Sequence, residues 1–169
     1  MPLLALDDLE LRPEEPWLEV PEQAPVPARG PVLLGLARLA EAAARDGPTG
    51  IRLEPDEDPA ALAPVLDRLS LIALRFAFPH DGRPYSQAAV LRRRLHFGGE
   101  LRAVGATLFD LVPHLEQAGF DSVALASLPA DWRRHLERLR LPRLYAPAAR
   151  ASIWRARAAA GARGGGGRP

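Results

Sequence analysis

Residues 71–120 change their hydrophobic period again and again, and that alternation constrains the chain more than any other feature. They read LIALRFAFPHDGRPYSQAAVLRRRLHFGGELRAVGATLFDLVPHLEQAGF. An apolar run ends in a turn. A pattern of helical period follows, then a Gly-Gly stop, a second short apolar run and a second helical pattern. The order is strand, loop, helix, strand, loop, helix. Strands that alternate with helices across short connections pair in parallel, with right-handed crossovers. The polar punctuation falls at His80 to Arg83 and at Gly105 to Asp110, where the strands end. Ligands of parallel sheets bind at these carboxyl ends.

The pattern extends in both directions. Val32, Leu33, Leu36, Leu39, Ala40 and Ala43 recur at helical spacing, which predicts a helix over 32–45. Ile51 to Leu53 is a short strand. Asp58 is placed to cap a helix over 59–68, with Pro59 at its first position. Leu69 to Phe78 is almost wholly apolar, as a central strand covered on both faces should be. The next helix is expected over 86–95, capped by Ser86 and stopped at Gly98-Gly99. Leu101 to Val104 is a strand. Asp110 is taken as the cap of the following helix, because Pro113 then falls in the first turn, where it costs little. Gly119 ends that helix, Ser122 to Ala126 is a strand, and 129–139 is a last helix.

The expected fold is therefore α/β: one domain of alternating βα units around a small, mostly parallel sheet. An open three-layer arrangement is favoured, with a half-barrel as the alternative. Too few units are present for a closed eight-stranded barrel. Residues 1–30 read as an extended, proline-rich and acidic arm, 31–141 as the α/β domain, and 142–169 as a disordered Ala/Arg/Gly tail.

Composition excludes several functions. All 22 basic residues are Arg, and the formal net charge is only +1, so no basic excess points to nucleic acid. The chain has no Cys, which removes disulfides, thiolate nucleophiles and Cys-ligated metal clusters. No apolar stretch reaches the roughly 20 residues that span a bilayer. The acidic, Pro-broken start predicts no signal peptide, so a cytoplasmic location is expected. No dinucleotide fingerprint, P-loop or nucleophile elbow occurs, and no cofactor is assigned. The four His are scattered, without metal-ligand spacing.

What remains is the segment from His80 to Ser86, which holds an imidazole, a carboxylate, a guanidinium, a phenol and a hydroxyl. Arg83 and Ser86 are candidate anion ligands, joined by Arg102 and Gly105 from the neighbouring strand. His80, Asp81, Tyr85 and Asp110 are candidate acid–base groups. In the competing structural reading, Asp81-Gly82 makes the turn, Arg83 pairs with Asp81, and Ser86 and Asp110 are caps. The run Arg92-Arg93-Arg94 is expected on a solvated helix face.

The segment DGRPYSQAAVLRRRLHFGGELRAVGATLFD, followed by AGFD, resembles a bacterial family of unknown function. Its members are described as oxidoreductases of sulfite reduction and are encoded beside assimilatory sulfite reductase. The resemblance spans roughly 50–139. It implies a sulfur-assimilation protein that supports sulfite reduction, either as an accessory or oxyanion-binding factor or as an oxidoreductase-type enzyme. Implied partners are sulfite reductase, a redox carrier and a small oxyanion. The chain departs from the family pattern at Pro84 (Gly), Ala106 (Asp), Leu111 (Gln) and Ala118 (Cys). The last change leaves no thiol for a redox step there, and a degenerate, non-catalytic member is a further alternative.

Overall fold

A computed structural model describes residues 1–12 and 17–139. Eight strands form one sheet: β1 (Leu3–Ala5), β2 (Leu11–Arg12), β3 (Leu18–Glu19), β4 (Val32–Gly35), β5 (Thr49–Leu53), β6 (Leu71–Phe76), β7 (Glu100–Gly105) and β8 (Ser122–Ala124). Their order across the sheet is β2-β1-β8-β7-β6-β5-β4-β3. From β3 to β8 every neighbour is parallel, while β1 runs antiparallel to both β8 and β2. Helices α1 (Leu39–Ala44), α2 (Arg83–Ala89), α3 (Val112–Ala118) and α4 (Trp132–Leu139), with a 3₁₀ segment over Pro59–Arg68, make the second layer.

Parallel strands laid down in sequence order with crossovers of one hand put every crossover on the same face. The core shows this directly. Val32, Leu34, Ile51, Leu53, Ile72, Leu74, Leu101, Ala103 and Val123, alternate residues of five strands, pack in one cluster with side chains from all four helices and the 3₁₀ segment. The other alternate set is represented by Leu33, Leu71 and Ala73, which form a separate small cluster joined by Trp17 and Val104. The described residues therefore form two layers, and of the two expected arrangements the sheet adopts the half-barrel.

Chain connectivity requires the curl. β2 and β3 are opposite edges of the sheet, yet Arg12 and Leu18 are only six residues apart. Six residues reach at most about 20–22 Å. Eight strands laid flat at about 4.8 Å spacing would place the edges roughly 33 Å apart. An arc about 1.6 times its chord is a semicircle, so the sheet bends through about half a turn.

Local signals explain most of the elements. The Asp58 carboxylate accepts the Ala60 N–H at 2.9 Å, and Pro59 opens the segment as expected. Pro113 sits in the first turn of α3, and Gly119 ends it at φ 93°. Three expectations change. Val32 to Gly35 is a strand, β4, and only 39–44 is α-helical. A four-residue apolar run satisfies either period, and pairing with β5 decides it. The N-terminal segment, expected as an extended arm, contributes strands to the sheet, with β1 wholly buried between β2 and β8. α2 begins at Arg83, three residues before the expected cap, because Pro84 presets a first-turn φ. The expected tail, 142–169, lies outside the described residues.

Past α2 the helix widens into a π turn over Val90–Arg94, where the Leu95 N–H donates to the Val90 carbonyl. Arg92, four residues beyond the buried Ala88, points inward from this turn. Its Nε donates to Gly119 O at 2.9 Å, and its Nη1 donates to Phe97 O at 2.6 Å and Gly99 O at 2.8 Å. Its Nη2 pairs with Asp121. Arg93 and Arg94 are exposed, so the solvated-face reading holds for them and fails for Arg92.

Candidate active-site groove

The loop from β6 to α2 carries most of the candidate residues, and the ion pair inside it is structural. Asp81 is buried, with 2% exposure. Its carboxylate accepts the Arg83 backbone N–H at 3.1 Å, Nε at 2.9 Å and Nη2 at 2.8 Å. This fork holds the Asp81 carboxyl below the usual carboxylate range, against the opposing effect of burial. In turn Asp81, with Asp56 contributing, raises the Arg83 guanidinium. The charge of Arg83 is thus compensated within its own loop, which weakens it as an anion ligand.

Asp81, not Ser86, provides the side-chain acceptor at the start of α2. Ser86 lies inside the helix with its residue exposed. Arg83 and Ser86 share a small groove of about 240 Å³ with Pro55, Pro59, Gln87 and Val90. Gln87 pins the preceding loop there, its Nε2 donating to the carbonyls of Glu54 and Glu57, both at 2.8 Å.

Arg102 does not join this groove. Its neighbours Leu101 and Ala103 point into the main core, so Arg102 projects from the opposite face, which carries no helix among the described residues. There Nε meets Glu100 Oε1 at 2.9 Å and Ser122 Oγ at 3.3 Å. The expected convergence of Arg83 and Arg102 over one crevice therefore does not occur. Strand alternation separates them, and the sequential strand order offers no switch-point crevice between β3 and β8. Gly105 also has a structural explanation. Its φ is +89°, and an added Cβ would lie 2.6 Å from the Phe76 carbonyl oxygen. It lets β7 turn against the end of β6.

Asp110 is exposed and lies 3.3 Å from His135 Nε2. It does not cap α3, since Leu111 occupies the cap position. Neither Asp110 nor His135 lines the groove that His80 and Tyr85 do form.

That groove, of about 470 Å³, lies between the β6–α2 connection and α3. Pro79, His80 and Tyr85 line one side, and Leu111, His114, Gln117 and Ala118 the other. The second group is a single stripe at helical spacing. Tyr85 is fixed by its ring, which meets Phe76 edge-on at 5.3 Å and Phe120 at 6.2 Å. Burial raises its phenol pKa, so the hydroxyl stays protonated at neutral pH and can donate. None of the described lining residues is acidic. His114 and Gln117 were not singled out by the sequence; the signal for them was the 111/114/117–118 stripe, whose partner is set by the α2–α3 packing. No group of three or more His, Asp or Glu suited to a metal ion occurs among the described residues.

Among the described residues, fold and groove together define an α/β half-barrel with its helices on one face of the sheet and a largely apolar groove between the β6–α2 connection and α3. The chain belongs to the family described as "Bacterial protein of unknown function (DUF934)", which it matches over residues 50–153. No curated protein matches it. No helix among the described residues is long and apolar enough to cross a membrane.

Proposed function

We propose that this protein supports sulfite reduction in sulfur assimilation, as an accessory factor of assimilatory sulfite reductase that holds a small oxyanion. The observation that carries the reading is the groove in which His80, Tyr85, His114 and Gln117 converge with no acidic residue among the described lining. Imidazole, phenol and carboxamide present N–H and O–H donors. This chemistry suits an oxyanion and disfavours a cation. The resemblance of the DGRPYS and GELRAVG segments to the sulfite-reduction family supplies the pathway.

Isothermal titration with sulfite, using sulfate and phosphate as controls, tests the reading beside His114→Gln. Selective heat with sulfite, weakened in the variant, is expected. A folded protein that takes up none of the three anions would sink the proposal.

A further inference from the structure

The size and the walls of the groove specify more than an oxyanion. A small inorganic oxyanion fills only one or two water volumes of about 30 Å³ each. The groove measures about 470 Å³, within the range of roughly 300–1,000 Å³ typical of sites for organic ligands. Its polar groups come from His80, Tyr85, His114 and Gln117. The rest of the lining is apolar: Pro79, Leu111 and Ala118, with the Tyr85 ring. The ring cannot swing away to shrink the space, because Phe76 and Phe120 hold it edge-on from two directions. An inorganic ion would leave these apolar walls wet.

Building on the oxyanion reading above, we infer that the groove takes an organic oxyanion, a sulfonate or carboxylate head on a compact apolar or aromatic body. The head meets the imidazoles, the Tyr85 hydroxyl and the Gln117 amide. The body covers Leu111, Pro79 and Ala118. Leu111 and Ala118 sit on the stripe of α3 that also carries His114, so head and body recognition come from one helix face. Burial of the body removes apolar surface from water on both partners, which is the source of the added affinity.

The test compares sulfite, methanesulfonate, benzenesulfonate and benzoate by isothermal titration, on the unmodified chain, Leu111→Asn and Tyr85→Phe. Benzenesulfonate is expected to bind about ten-fold or more tighter than methanesulfonate, the factor that a half-buried ring supplies. Leu111→Asn should abolish that preference, weakening benzenesulfonate far more than methanesulfonate. Tyr85→Phe, which keeps the ring, should weaken every anion alike. Chemical-shift changes at His114 and Gln117 on titration would place the ligand in this groove.

Sulfite binding with no gain from the aromatic body would overturn this inference and leave the oxyanion reading standing. Benzenesulfonate binding without sulfite binding would support the inference and remove inorganic sulfite as the ligand. Failure of all four anions on folded protein would overturn both.

Discussion

Arg92→Ala should be among the most damaging single substitutions outside the apolar core. The guanidinium serves four acceptors from two connections of the chain: Phe97 O and Gly99 O before β7, and Gly119 O and Asp121 between α3 and β8. It also lies 5.7 Å from the centre of the Phe97 ring. Truncation removes the donor shared by three carbonyls and leaves Asp121, with a side chain only 20% exposed, without its cation. Breaking a buried pair typically costs about 3–5 kcal/mol. The remaining one-fifth exposure of Arg92 lets water screen and rescue part of this, so about 3–4 kcal/mol is expected. In a domain of this size each kcal/mol lowers Tm by about 2–4 °C, which makes the fall roughly 6–16 °C. Thermal and urea unfolding followed by circular dichroism measure it. Arg93→Ala and Arg94→Ala, both exposed, are the controls and should stay within about 0.5 kcal/mol of the parent. Arg92→Lys should recover only part of the loss, because an ammonium is a point charge that cannot reach all four acceptors. If Arg92→Ala fell within about 1 kcal/mol of the controls, the clamp would be a geometric coincidence and the argument would fail.

Three further expectations follow from the same geometry. Gly105→Ala meets the Phe76 carbonyl at 2.6 Å and holds a non-glycine residue at φ +89°, so it should cost about 2 kcal/mol or more in urea unfolding. Ser86→Ala should change stability by less than about 0.5 kcal/mol, because Ser86 lies within α2 rather than at its cap; a loss near 1 kcal/mol would restore the capping role. The Arg83 fork lowers the Asp81 pKa in the folded state, so its contribution is present above the unfolded value near 3.9 and is lost as pH falls below it. Urea midpoints measured from pH 6 to pH 2 should therefore fall more steeply for the parent than for Arg83→Met, and parallel curves would refute the assignment.

The sequence by itself determined the fold class and the run of elements from β5 to α3. Those segments carry signals that need no distant partner. Examples are the Asp58-Pro59 helix start, the nearly continuous apolar run of β6, Pro113 placed in a first turn and Gly119 at a left-handed helix end. It also brought out His80, Tyr85 and the Asp81–Arg83 pair, since residues within one short loop remain close in any fold. Tertiary structure decided the rest. The four-residue run Val32 to Gly35 fits either period, and pairing with β5 makes it a strand. Strand alternation turned Arg102 away from Arg83, and a one-residue shift of register would have reversed that outcome. Acceptors on the α3–β8 connection and before β7 drew Arg92 out of a solvated triplet and into a clamp. His114 and Gln117 reached the groove only because α3 packs beside α2, a contact between residues nearly thirty positions apart. The curl of the sheet is the clearest case. It follows from the short path between Arg12 and Leu18, a constraint that has meaning only once those residues are known to lie at opposite edges of the sheet.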